Sequence, residues 1–398
     1  MDTAIEKCRQ IPFYQEIFKR NNSKRKQESG LIDSMFLLTK EQINQSFPSK
    51  WMTHALKASI QENQVEWAAT SGTTSDRLQI IRPKNWWKAE YRWLNQTLYP
   101  NRSMVKRAVL TTALCSADVC SMTQPSYKER CLDQALYLNI HHDPNVWQKK
   151  DLLRMVDEIQ SWKPDYLLAD PVYLLLLIKG FKKFEIIPRK WAFDKIIVGY
   201  EYLTTFNRTI IRSYFPAREL RQLYGSTETG FHILEDDNHQ LACHFRQSTL
   251  TFQRWKKNIY EVIVSSWKNP FMPLLNYRIG DLVRLDSHSP IVENPRKIMG
   301  FQGRIKEALE VGKHRYCLGE FEDLMQHINL PIAQYQIRSE EGVFTFIYTT
   351  LTDRALDVKD RELIKQQFHS HFDNKWLINI LHQRTISPQS SGKFIILD

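Results

Sequence analysis

The sequence predicts an α/β fold in two parts, a large N-terminal α/β domain of packed sheets and helices and a small C-terminal α+β lobe. Three observations carry this. The chain has 398 residues, too many for one ordinary core. Strand-like and helix-like stretches alternate through its first three quarters. The pattern then changes near Gly303 to a short run of helix, strand, helix and strand.

The elements follow in order. Ala108 to Thr112 and Lys195 to Gly199 are apolar and bounded as buried strands are. Between them Leu152-Leu153, Val156 and Ile159 recur at helical spacing. The most apolar run, Tyr166 to Ile178, is broken by Asp170-Pro171 and falls short of the roughly 20 residues needed to span a bilayer. Asp170 reads as an N-cap and Pro171 as the first helical residue of a buried helix through Leu174 to Leu177. Ile259 to Val264 alternates in part with period two, as a half-buried strand does. Beyond Gly303, Phe321, Leu324, Met325 and Ile328 share one helix face. A strand follows at Val343 to Tyr348, then a helix over Glu362 to Phe368 and a last strand from Trp376 to Ile380. The expected domains are therefore 1–302 and 303–398.

Composition excludes several classes of protein. With 42% apolar, 25% charged and 12% aromatic residues, this is a folded chain, not a disordered one. Its net charge of +11 favours anionic partners such as nucleotides, coenzyme A or carrier-protein surfaces. No nucleic-acid-binding signature accompanies the charge, and the basic run Lys19-Arg20 with Lys24-Arg25-Lys26 reads as a solvated loop. The start carries no signal-peptide core and no transit bias. Six cysteines, with no CxxC pair, read as reduced thiols, and a cytoplasmic location is expected. His232, Cys243 and His244 match no zinc spacing and read as loop or core residues, as do Cys115 and Cys120.

Five segments carry chemistry. Thr70-Ser-Gly-Thr-Thr-Ser75 places hydroxyls around a glycine, suited either to surrounding a phosphate or to an ordinary turn. Tyr224-Gly-Ser-Thr-Glu228 joins an aromatic ring, a glycine, a hydroxyl and a carboxylate, suited either to a glycine-turned loop with a surface glutamate or to stacking a base, approaching a phosphate and holding Mg²⁺. Tyr277-Arg-Ile-Gly-Asp281 ends a strand in a glycine and an aspartate, suited either to an ordinary turn or to chelating two vicinal hydroxyls. Gly303-Arg304-Ile-Lys306 and Ser391-Gly392-Lys393 complete the set.

Taken in this order, the five segments resemble the adenylate-forming superfamily of acyl- and aryl-coenzyme A synthetases, peptide-synthetase adenylation domains and luciferase. The resemblance covers residues 70–393 and looks most like the phenylacetate–coenzyme A ligase branch. Lys195 to Thr204 is similar to that branch's strand ending in Gly-Gly-Glu-x-Leu-Thr, and Asp170-Pro-Val-Tyr-Leu174 to its Pro-Ser-x-Leu segment.

The resemblance implies a role for each matched residue. Ser71, Thr73 and Thr74 would wrap the β- and γ-phosphates of ATP. Tyr224 would pack on adenine, Thr227 touch the α-phosphate, and Glu228 hold Mg²⁺. Asp281 would bind the ribose with Arg304 assisting, and Glu201 would join the nucleotide-binding set. Lys306 would be the hinge, and Lys393 the catalytic lysine brought in by the small lobe. The implied activity joins a carboxylic acid, an aromatic one among the candidates, to AMP and passes the acyl group to coenzyme A or carrier-protein phosphopantetheine. An acyl-protein synthetase for a fatty acyl group and an inactive nucleotide-binding scaffold are the alternatives. Three departures from the family pattern stand out. Ser75-Asp76 replaces the usual Gly-Lys, Tyr200 stands where a glycine is usual, and Gly303 to Gly312 is one residue short.

Overall fold

The computed structural model describes residues 2–25, 36–70, 77–113, 125–188, 191–216, 218–311, 313–340, 342–372 and 377–398. The chain divides into two compact units. One comprises Met1–Pro100 with Tyr224–Gly300, the other Asn101–Leu223 with Phe301–Asp398.

The first unit opens with helices Asp2–Arg9 and Pro12–Arg25. The second of these takes in Lys19, Arg20, Lys24 and Arg25, so most of the basic run is helical and not a loop; Lys26 lies outside the described residues. The reason is the apolar spacing ahead of the charges. Phe13 and Tyr14 are buried, and Ile17 and Phe18 one turn later pack against the same core. That core gathers Tyr14, Trp51, Ile80, Ile81, Leu274 and Tyr277. An antiparallel hairpin pairs Val65–Ala69 with Gln79–Pro83, Trp67 opposite Ile81. Helix Trp86–Leu98 follows and buries Trp86, Glu90, Leu94 and Leu98 along one stripe.

Helices Lys40–Ser46 and His54–Gln61 also belong to this unit, and its later part is largely antiparallel sheet. Ile259–Ser266 lies between Ser248–Lys256 and Leu274–Arg284, with Ile291–Glu293 on the outer edge of Ser248–Lys256. All eight residues of Ile259–Ser266 are buried, where the partial alternation had suggested a half-buried strand. The strand is paired on both sides, and its one charge is neutralised. Glu261 receives two bonds from Arg278, Nε at 2.9 Å and an η nitrogen at 2.6 Å, from the neighbouring strand.

In the second unit, strands Arg107–Leu110, Ala135–Tyr137, Tyr166–Ala169, Lys195–Val198 and the start of Glu219–Ser226 form a parallel sheet. Cys131–Leu132 pairs antiparallel at its edge. Helices Lys149–Trp162, Pro171–Lys183 and Thr205–Tyr214 link successive strands, the connection parallel strands require. The strand expected to reach Thr112 ends at Leu110, and Leu152, Val156 and Ile159 face the core while Leu153 is exposed. Asp170 caps the Pro171 helix as expected, accepting bonds from Val172 N at 2.8 Å and Tyr173 N at 3.4 Å. Val172 to Lys179 are all buried.

Residues beyond Gly303 build a second core in the same unit. Helix Leu318–Met325, the three strands Ile332–Glu340, Val343–Thr350 and Leu377–His382, and helix Val358–His371 enclose Phe321, Phe344, Phe346 and Phe368. The last strand begins at Leu377; Trp376 lies outside the described residues. Glu322 ties this core to the parallel-sheet part of the unit, accepting from the backbone N of Thr205 at 2.6 Å and its hydroxyl at 2.8 Å. Among the described residues no helix is long and apolar enough to cross a membrane.

Candidate functional site

In the first unit the Tyr224 segment enters a tight turn. A side-chain carbon on Gly225 would lie 2.4 Å from the Gly230 carbonyl oxygen, so only glycine fits there. The Ser226 and Thr229 hydroxyls are 2.8 Å apart and close the turn. Tyr224 OH donates to Asp281 Oδ2 at 2.7 Å, and Tyr277 OH donates to Glu228 Oε1 at 3.1 Å. Two segments separated by fifty residues are thereby interlocked, each supplying one phenol to the other's carboxylate. Thr227 is fixed through its carbonyl, which accepts from Arg82 at 3.4 Å, while Arg82 Nε pairs with Glu66 at 2.5 Å across the hairpin.

Glu228 and Asp281 are 8% and 9% exposed. Tyr277 orients one oxygen of the Glu228 carboxylate. Ser71, Thr73 and Thr74 lie outside the described residues, as do Ser75 and Asp76. Their flanks are pinned, since Thr70 and Leu78 exchange bonds through Thr70 N to Leu78 O and Leu78 N to Thr70 Oγ1, both 3.0 Å.

In the second unit, Lys393 sits where two parallel strands end. Its Nζ donates to the Tyr200 carbonyl at 3.3 Å, and the next backbone N–H, that of Phe394, donates to Glu201 Oε1 at 2.8 Å. Tyr173 OH donates to the Gly392 carbonyl at 2.9 Å. Asp170 is 2% exposed and caps the helix that carries Tyr173. Burial pushes the Asp170 carboxyl up to about 7, against its two backbone donors and the Lys393 ammonium. Burial, and then the Asp170 charge, push Glu201 well above the usual carboxylate range, while Lys393 pulls it down.

Tyr200 is the geometric oddity of this group. Its φ is +69°, in the region glycine favours, and Glu201 N donates to Gly199 O at 2.8 Å across it. This is the position where the sequence departs from a glycine. Arg304 precedes the single turn Ile305–Glu307, which contains Lys306, and Arg315 donates to the Ile305 carbonyl at 2.9 Å. Gly303 has φ +84°, and a side-chain carbon there would lie 2.7 Å from Leu318 Cβ.

Sequence reasoning missed two groups. Tyr173 holds the Lys393 turn and Asp170 caps the helix that carries it, yet in sequence they show a helix cap and a segment similar to Pro-Ser-x-Leu, with no role for either side chain beside Lys393. In the first unit Glu90 is 4% exposed and gathers three donors on Oε2, namely Phe231 N at 2.6 Å, Arg246 at 2.9 Å and Lys268 at 3.2 Å. A cavity of about 400 Å³ is lined by these charged side chains with Lys84 and Trp86. The legible signal was a glutamate standing on the apolar stripe of helix Trp86–Leu98. Burial lowers Lys268 to about 8, and burial with Lys268 and Arg246 holds His232 well below its ordinary value. His232 is fully buried, with Nδ1 3.3 Å from the Ser248 hydroxyl. Two cations beside it make this a poor place for a metal ion, and no cluster of three metal-ligating side chains occurs among the described residues.

Comparison with solved structures follows the whole chain. A 2-hydroxyisobutyryl-CoA ligase, solved in the postadenylation state in complex with R3-HIB-AMP, superposes with a TM-score of 0.68 at 12% identity, covering 98% of this chain and 86% of that one. The chain has the fold of the adenylate-forming ligases. An anthranilate CoA ligase in complex with anthranoyl-AMP gives 0.59 at 11% identity, over 83% of this chain and 65% of that one. The amide bond synthetase McbA from Marinactinospora thermotolerans gives 0.56 at 13% identity, over 82% of this chain and 66% of that one. In sequence, Protein CapK of Staphylococcus aureus is 31% identical over 96 residues, 24% of this chain, and the match spans only about a fifth of CapK's length (21%). No protein-family profile matches the sequence.

Proposed function

We propose that this chain is an ATP-dependent, AMP-forming carboxylic acid ligase of the phenylacetate–coenzyme A ligase type. It would make an acyl- or aryl-adenylate and pass the acyl group to a thiol, that of coenzyme A or of carrier-protein phosphopantetheine. The observation that carries the reading is the held position of Lys393, clamped by contacts to the residues on either side of it. The fold likeness supports it, since neighbouring structures hold acyl-AMP and coenzyme A.

In the first half-reaction a carboxylate oxygen attacks the α-phosphorus of ATP, a P–O bond forms, and the bond to pyrophosphate breaks with its electron pair leaving on pyrophosphate. One anion approaches another, so fixed positive charge is what the site must supply. Lys393 is the residue proposed to aim it at the reacting oxygens, with Thr227 at the α-phosphate and Ser71, Thr73 and Thr74 on the leaving phosphates. Tyr224 would meet adenine, with Glu201 in the nucleotide-binding set. Asp281, oriented by Tyr224, would hold the ribose hydroxyls with Arg304. Glu228, held through Oε1 by Tyr277, would take Mg²⁺, whose charge would neutralise the phosphates. In the second half-reaction a thiolate attacks the acyl carbon and AMP departs. Rotation about Lys306 between the two, with 303–398 as the moving lobe and 1–302 as the other, belongs to the proposal.

The test is acid-dependent exchange of labelled pyrophosphate into ATP across aryl, fatty, hydroxy and amino acids, with Lys393→Ala as control. Exchange with one acid class, lost in the control, supports the reading and names the substrate. A chain that binds ATP yet exchanges with no acid sinks it. The acceptor is then read by offering coenzyme A, a phosphopantetheinylated carrier protein and an amine to the preformed adenylate.

A further inference from the structure

The turn that presents Lys393 is gripped on both sides. It closes on itself through Gln389 N to Lys393 O at 2.7 Å and Gly392 N to Gln389 O at 2.8 Å. Gly392, at φ +79°, seats so closely on Thr112 that a side-chain carbon would lie 2.0 Å from its hydroxyl. Tyr173 OH then holds the carbonyl of the residue before the lysine at 2.9 Å, and Glu201 Oε1 holds the N–H of the residue after it at 2.8 Å. Phe394 is 9% exposed and packs edge-on to Tyr173, ring centres 6.0 Å apart.

Tyr173 and Glu201 follow the adjacent parallel strands Tyr166–Ala169 and Lys195–Val198, at the carboxyl edge where open α/β sheets bind ligands. Neither group needs to touch substrate to matter. A lysine on a four-carbon stem has rotamer freedom to spare, and a backbone fixed at the flanking residues limits where its ammonium can go. One fixed end would leave the turn free to pivot; two opposed ones do not. Glu201 therefore has a use for one oxygen other than nucleotide contact.

We propose that Tyr173 and Glu201 are positioning residues that latch the Gln389–Phe394 turn onto the sheet edge and so aim Lys393 during acid adenylation. The latch has no part in transfer to the thiol, when the lysine is no longer needed. This rests on the adenylation reading above.

The experiment compares wild type, Tyr173→Phe, Glu201→Ala and Glu201→Gln in two assays and one structural measurement. Acid-dependent pyrophosphate exchange should fall about fivefold in Tyr173→Phe and about tenfold or more in Glu201→Ala, in kcat with KM for the acid little changed. Glu201→Gln keeps an acceptor for Phe394 N–H and should recover most of the loss. Acyl transfer from a synthetic acyl-AMP to coenzyme A should stay within about twofold of wild type in Tyr173→Phe, which touches only the turn and no proposed nucleotide ligand. Parallel loss in both half-reactions for Tyr173→Phe, as a merely structural role gives, overturns the latch, and so does unchanged exchange. Amide hydrogen exchange of the 387–398 peptide reads the latch without catalysis. Faster exchange there in Glu201→Ala and Tyr173→Phe, with other peptides unaltered, supports it, and unaltered exchange overturns it. Wild type inactive with every acid would count against the adenylation reading alone, leaving hydrogen exchange to decide the latch.

Discussion

The phenol of Tyr224 donates a 2.7 Å hydrogen bond to Asp281 Oδ2, joining two sequence motifs through a single proton. The carboxylate is 9% exposed, and this bond helps to orient it. Tyr224→Phe keeps the ring and removes the bond, which weakens the hold on the carboxylate. Hydrogen bonds to charged groups contribute about 1.5–3 kcal/mol, so KM for ATP should rise about tenfold with little change in melting temperature. Asp281→Ala should cost more, because it removes the proposed ribose ligand itself. Equal KM values for wild type and Tyr224→Phe would show that the bond does not orient a nucleotide ligand.

Gly230 tests the buried charge cluster of the first unit. Its φ is +77°, and a side-chain carbon would lie 2.4 Å from Glu90 Oε2. Gly230→Ala must displace a carboxylate that serves Arg246, Lys268 and the Phe231 N–H together. Breaking such a buried set while forcing a left-handed alanine should cost about 2–4 kcal/mol, seen as a lower urea midpoint. A variant as stable as wild type would mean Glu90 relocates without penalty.

Much of the fold was legible because burial here follows period. The Asp170-Pro171 cap, the apolar helix after it and the strands at Lys195 and Val343 all announced themselves locally. What local pattern could not show was charge compensation at a distance. Ile259–Ser266 looked half-buried because Glu261 interrupts it, and only Arg278 from the next strand reveals why the whole strand is interior. The Lys19 to Arg25 charges likewise hid a helix whose anchor, Phe13 and Tyr14, lies one turn earlier. At the site, ordered motifs named Tyr224, Glu228, Asp281 and Lys393. Tyr173 lies in the Asp170-to-Leu174 segment, which suggested no role for its phenol; its contact with Gly392, 219 residues away, does.

Asp170 makes stability depend on pH. Its folded pKa of about 7 stands above the ordinary value of 3.8. The unfolded chain therefore releases this proton first, and folding must hold it or bury a charge. Stability is complete below about pH 4, declines as pH rises toward 7, and is level beyond. Asp170→Asn keeps a good N-cap but cannot titrate. The difference in melting temperature, variant minus wild type, should grow between pH 4 and 7 and then stay constant. Parallel curves over that range would mean that Asp170 remains an ordinary carboxylate.

Tyr200 offers a test of backbone strain beside the proposed catalytic lysine. Its φ of +69° under the 2.8 Å Glu201 N to Gly199 O bond is the tight three-residue turn that non-glycine residues adopt at a cost of about 1–3 kcal/mol. Replacing tyrosine by alanine keeps that cost, whereas glycine removes it and incurs about 0.5–1 kcal/mol through its freer unfolded chain. Tyr200→Gly should therefore be more stable than Tyr200→Ala by about 1 kcal/mol, the reverse of the usual order at ordinary positions. The Tyr200 carbonyl, which accepts from Lys393 at 3.3 Å, belongs to the main chain and stays in both variants. Adenylation by the glycine variant should accordingly remain within about twofold of wild type, since the carbonyl that receives Lys393 is retained. Alanine more stable than glycine would show that the turn carries no strain and that the family's glycine is absent here without consequence.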